Sequence, residues 1–247
     1  MMRSPWLAAA ILALGVFTRA AVQSYVIVID GDRRPVLGLS AEDFSLRDGG
    51  VKQSVDDVVP ATAPLAIAVV VDGFEAADRA QLTSAIAGAT ARLAAASPRH
   101  RINLLDAPGR SLTDAIVDAS RTLQDAETDR RAVIAIIKRR AGDGAVSSTS
   151  SLTSALVDDR VSLWTIEVGP AQNTALDRVL TDATAAGGAL RELVPATAGM
   201  PDAAVRVIHL LTSQYVVTYQ WPNPMLSLVN ISIRHERGTV LATSWMR

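Results

Sequence analysis

The strongest constraint on this chain is a repeating change of hydrophobic period between residues 65 and 211. Leu65 to Val71 is an unbroken apolar run, Ala132 to Ile137 is another, and Val161 to Val168 reads as a third covered strand. Seven apolar residues without alternation mark a strand covered on both faces. Between these runs the spacing becomes helical. Leu82, Ile86, Ala89 and Leu93 share one face, and Ser97-Pro98 stops that helix. Leu112, Ile116, Ala119 and Leu123 repeat the pattern, as do Leu176, Val179, Leu180 and Ala183 before Gly187-Gly188. A last helix starts near Pro201 and lines up Ala204, Val207, Ile208 and Leu211. Strands alternating with helices predict an α/β fold, a parallel sheet wrapped by helices.

The flanks read differently. Tyr25 to Ile29 is a β-branched run ended by Asp30-Gly31-Asp32, Ser40 to Asp43 reads as a capped turn, and Asp48-Gly49-Gly50 is a hairpin signal. At the other end Tyr215, Val217, Tyr219 and Trp221 alternate with polar or smaller residues. Val229 to Ile233 and Val240 to Trp245, on either side of Glu236-Arg237-Gly238, complete a set of antiparallel strands. These end strands are expected to pair with the N-terminal ones in a small β module. Its few aromatics serve either as core or as a recognition surface. The expected boundaries are an N-terminal β module over 21–60, a linker at Pro60 to Pro64, an α/β domain over 64–213 and C-terminal strands over 214–247. Ser147 to Ser154 reads as a surface loop running into a helix.

Residues 1–20 read as a signal peptide: Arg3, an apolar run from Trp6 to Phe17, then Thr18-Arg19-Ala20 before a cleavage point. The run is too short to span a bilayer, and an uncleaved anchor is the alternative. The chain is therefore expected to be exported, periplasmic or extracellular, with no transmembrane segment after the signal peptide. With 49% hydrophobic and 20% charged residues it is no disordered tail. A net charge of −1 gives no electrostatic case for nucleic acid. The absence of cysteine removes disulfides, thiolate metal sites and cysteine nucleophiles.

Catalytic signatures are missing. There is no Gly-x-Ser-x-Gly elbow, phosphate loop or Gly-x-Gly-x-x-Gly after the first covered strand. His100, His209 and His235 are scattered and read as structural or solvated. Ser111 and Asp114 have capping-box spacing at a helix start. Asp158-Asp159-Arg160 reads as a solvated helix end, and Asn230-Ile231-Ser232 matches a glycosylation sequon.

A covered strand ending in Asp72, followed by a loop and a helix, resembles the start of a von Willebrand factor A domain. The chain as a whole resembles exported bacterial proteins related to that domain. The stretch Arg34-Pro35-Val36-Leu37-Gly38-Leu39-Ser40-Ala41-Glu42-Asp43-Phe44, then Asp48-Gly49, carries the likeness best. Pro64 to Asp72, Ser111 to Ala119 and Gln214 to Tyr219 add to it. The resemblance implies a Rossmann-like three-layer α/β/α sandwich.

Most such domains hold a divalent cation on an Asp-x-Ser-x-Ser loop, a threonine and a later aspartate, since a hard cation takes oxygen ligands. Here the loop reads Asp72-Gly73-Phe74-Glu75-Ala76, with Phe74 and Ala76 at the serine positions. Arg110 stands at the threonine position, and the later aspartate falls near Lys138-Arg139-Arg140. One expectation is that Arg110 or Arg139 takes the cation's place and pairs with Asp72. Another is that the basic sheet end receives an anion or acidic partner. A metal held by Asp72 and Glu75 alone, or Asp72 acting as a helix cap, are further readings.

The expected function is thus an exported, non-enzymatic protein-binding or assembly module that has lost metal-dependent adhesion. It would need no cofactor and no small-molecule substrate. Asp72, Phe74, Glu75, Arg110, Lys138 and Arg139 would form the partner-binding surface. A metal-dependent adhesion domain with a divergent site is the alternative, and an unrecognised α/β hydrolase a third.

Overall fold

The structure is a computed structural model describing residues 21–48, 50–106, 110–139, 149–169, 174–220, 229–234 and 238–242. The signal segment, Trp221, His235, the Glu236-Arg237 turn, Arg140 and Trp245 lie outside the described residues.

Four strands come first: β1 (Ala21–Ile29), β2 (Phe44–Asp48), β3 (Val51–Gln53) and β4 (Val55–Pro60). Then follow β5 (Leu65–Asp72), α1 (Ala76–Ala96), β6 (Arg101–Asp106), α2 (Leu112–Thr122), β7 (Arg130–Lys138) and α3 (Thr149–Asp159). The α/β part ends with β8 (Ser162–Val168), α4 (Ala175–Ala186), β9 (Arg191–Val194) and α5 (Met200–Thr212). Strands β10 (Tyr215–Gln220), β11 (Val229–Ile233) and β12 (Thr239–Ala242) close the chain.

The covered strands form a five-stranded sheet in the order β6-β5-β7-β8-β9, and every pairing is parallel. Alternate residues feed two cores, as strand geometry requires. Leu65, Ile67, Val69 and Val71 of β5 pack under α1 and α5 with Leu82, Ile86, Val207 and Leu211. Ala66, Ala68 and Val70 face the other way, toward Ile116 of α2, Leu156 of α3 and Leu180 of α4. Each fully buried Leu, Ile or Val removes enough apolar surface to favour folding by about 1.5–3 kcal/mol. The result is a three-layer α/β sandwich.

Strand order fixes where loops part. From β5 the chain goes to β6 on one side and returns to β7 on the other, so the loops after β5 and β7 diverge. In open α/β sheets that crevice is where ligands bind.

Both chain ends build the antiparallel part. A four-stranded sheet runs β12-β1-β10-β4, and a three-stranded one runs β11-β2-β3. Val26 and Val28 of β1 pack with Phe44, Leu46, Val217 and Tyr219 between the two sheets. Ile27 and Ile29 point oppositely, into the core under α1 and α5. Tyr215 and Tyr219 are buried core residues rather than a recognition surface.

The Tyr215 hydroxyl ties two distant sequence stretches together. It donates to the Val36 carbonyl at 3.1 Å and accepts from the Leu39 amide at 3.3 Å. The Phe44 and Tyr215 rings meet edge-on. The Ser40 amide and hydroxyl donate to one Asp43 carboxylate oxygen at 2.8 and 3.0 Å, forming the expected capped turn.

Arg130 joins the two parts. Its guanidinium is buried and donates to Gln214 Oε1 and to the carbonyls of Ala61, Ala63 and Leu211 at 2.6–3.1 Å. It therefore caps the end of α5 and fixes the Ala61–Ala63 segment, while Tyr25 lies 5.9 Å from the guanidinium carbon. Burial lowers the Arg130 pKa to about 10, partly offset by Tyr25.

Candidate functional site

The sheet's C-terminal end gathers most of the residues singled out in the sequence, but in unexpected pairings. After Asp72 the chain turns at Gly73, whose φ is +85°. A Cβ there would stand 2.3 Å from the Lys138 carbonyl oxygen, so the β5 loop lies against the end of β7 only because residue 73 has no side chain. Phe74 then folds inward. It is 3% exposed within the core under α1 and α5, so it is not a hydrophobic contact held out to a partner. Glu75 is exposed and precedes α1 without capping it through its side chain. Asp72 is half-buried, and among the described residues no donor engages its carboxylate.

Neither arginine pairs with Asp72. Arg110 is exposed and bridges to Asp118 on α2 at 2.5 Å. Ser111 caps α2 by accepting from the Asp114 amide, as its spacing implies. Lys138 faces α1 and pairs with Asp78 at 3.2 Å.

Arg139 is taken up elsewhere, in a buried cluster on the α4 side of the sheet. Its Nε and Nη2 donate to Glu167 Oε2 at 2.9 and 2.5 Å, and Nη2 also reaches Asp177 Oδ1 at 2.8 Å. Arg191, at the start of β9, grips the same two acids. It gives Nε to Glu167 Oε1 at 2.5 Å and Nη2 to Glu167 Oε2 at 2.9 Å and to Asp177 Oδ1. Glu167 and Arg139 side chains are 1% and 3% exposed. Two cations and two carboxylates balance, which a buried cluster needs.

Asp177 has a second task. Its Oδ2 accepts from the Thr174 amide and hydroxyl at 2.7 and 2.8 Å, closing a capping box at the start of α4. Burial alone would raise the Asp177 pKa. The Thr174 hydrogen bonds, then Arg191 and the Arg139 charge, outweigh it and hold the carboxyl at about 2. On Arg191, the Glu167 hydrogen bonds dominate over burial and raise the pKa.

Sequence reasoning missed Glu167, Asp177 and Arg191. A usable signal was present, because Glu167 is a lone charge inside an otherwise covered strand and so requires a buried partner. Asp159, read as solvated, instead accepts from the Ser120 hydroxyl and ties α3 to α2.

Among the described residues, the groups left accessible at this end include Glu75, Arg110 with Asp118, the half-buried Lys138 with Asp78, and the half-buried Asp72. Phe74, Ala76, Arg110 and Arg139 offer no ligand oxygen from their side chains, and among the described residues no group of three His, Asp or Glu is placed to hold a metal ion. No helix among them is long and apolar enough to cross a membrane. Neither a family model nor a curated protein sequence matches this chain.

Proposed function

We propose that the chain is an exported, non-enzymatic binding or assembly module of von Willebrand factor A type whose metal-dependent adhesion has been replaced by direct surface contact. The observation that carries this reading is the reuse of the positions where a cation would be held. Phe74 fills core, and Arg139 is locked between Glu167 and Asp177. A sheet end whose buried charges balance, with charges of both signs around it, suits a protein partner. Such contacts give specificity and association rate through complementary charge.

The surface is narrower than the sequence implied. Glu75, Arg110 and Lys138 remain as contact residues, with Asp72 at its centre, while Phe74 and Arg139 support it from below. One observation favours the metal-dependent alternative: the unengaged Asp72 carboxylate beside the exposed Glu75.

Photo-crosslinking residues placed at Glu75 and Arg110 test the surface in cells. Crosslinks to a protein at both positions, persisting in EDTA and missing at the exposed Arg178 on α4, are expected. Crosslinks no more frequent than at Arg178, or lost in EDTA, would contradict the reading.

A further inference from the structure

At the opposite end of the sheet, α1 and α5 part to leave a cleft of about 390 Å³. That lies in the range of small-ligand pockets, roughly 300–1,000 Å³. Its interior is apolar, formed by Ala89 and Leu93 of α1 and Val205 and Ile208 of α5. Ala89, Leu93 and Ile208 are buried, so the cleft is a true indentation between the helices.

Among the described residues its polar lining is Arg92, His100, His209 and Thr212. Arg92 and His209 are exposed, and His100 is half-buried between α1 and β6. Among the described residues no carboxylate lines the cleft, and none neutralises Arg92. His100 Nδ1 accepts the Leu65 amide at 2.9 Å, so the neutral ring carries its proton on Nε2, a donor free for another acceptor. Burial, then the charges of Arg130 and Arg99, lower the His100 pKa, which favours the neutral ring.

We propose that this cleft binds a small amphipathic anion, a medium-chain carboxylate. Its hydrocarbon tail lies against Leu93, Val205 and Ile208, and its head group takes Arg92 with donors from His100 and His209. An apolar body with a few convergent donors is the composition of a ligand pocket. Arginine pairs with carboxylate through a planar fork, and such charge-assisted bonds are the stronger kind. A partner helix would need anchors along several turns of a longer groove. Binding without transformation is proposed: the Thr212 hydroxyl of the lining donates to the His209 carbonyl at 2.8 Å rather than to an imidazole. The site is independent of the partner surface around Glu75, so either can fail without the other.

Calorimetric titration and thermal unfolding of the full chain with sodium decanoate test this, with decanol and decyltrimethylammonium as neutral and cationic probes. Decanoate should bind saturably and raise the unfolding midpoint, decanol less and the cation not at all. Arg92→Glu should weaken decanoate about tenfold or more with the ligand-free midpoint unchanged, because Arg92 is an exposed helix residue. Arg178→Glu, on α4 across the sheet, should bind as the wild type does. Equal effects of decanol and decanoate, an undiminished decanoate effect in Arg92→Glu, or no saturable binding would overturn the proposal.

Discussion

Removing the charge of Glu167 should be among the most damaging single changes in the molecule. Its side chain is 1% exposed and accepts four arginine hydrogen bonds, two from Arg139 and two from Arg191, at 2.5–2.9 Å. Glu167→Gln keeps the shape but leaves two guanidinium groups facing Asp177 alone, with Arg139 almost wholly out of water. Breaking a buried pair by deleting one partner typically costs about 3–5 kcal/mol, because the remaining charge stays desolvated. Urea unfolding should therefore show a large fall in midpoint with an unchanged slope. The double change Arg139→Met with Glu167→Leu should cost less than the sum of the two single changes, by more than about 1 kcal/mol, since it removes one charge of each sign together. Additive losses, or a Glu167→Gln cost below about 1 kcal/mol, would refute the view that this cluster locks the end of the sheet.

Three further outcomes follow from the same geometry. Gly73→Ala should destabilise by at least about 2 kcal/mol, since a positive φ is combined with a backbone clash at Lys138; a neutral effect in urea unfolding would show the loop can move aside. Arg130→Met should cost about 3 kcal/mol or more, and Arg130→Lys should recover little, because one ammonium cannot reach carbonyls on both sides of the junction. His100 has a lowered pKa in the folded protein, so its contribution is complete above about 6.5 and is lost as pH falls below that value. Between pH 7 and 5 the wild type should lose more stability than His100→Asn, and parallel pH profiles would contradict this.

Much of the architecture was legible because burial leaves a periodic trace. Leu65 to Val71 and Ala132 to Ile137 had to be covered on both faces, and the stripes from Leu82 and Leu176 had to be helices. Strand β9 escaped because four residues, two of them charged, carry no period. The expected pairing of Arg139 with Asp72 rested on the resemblance, which sets Arg139 near a metal-ligand position, and it does not form. Strand alternation contained the better answer. Lys138 falls in step with Ile134 and Ile136, on the α1 face, where Asp78 waits. Arg139 falls in step with Val133, Ala135 and Ile137, on the face of Glu167 and α4. Phe74 could not be placed that way, because the positive φ at Gly73 breaks the alternation just before it.

The account rests most heavily on the claim that the end of the sheet is held by protein groups rather than by a cation. Thermal unfolding in EDTA, then with millimolar Mg²⁺, Mn²⁺ or Ca²⁺, tests it directly. A cation bound only by the folded state at a hundred times its dissociation constant would add about 2.7 kcal/mol, a shift of several degrees. The account predicts the same midpoint in all four solutions. A rise with metal that disappears in Asp72→Ala would contradict it and restore metal-dependent adhesion at the end of β5.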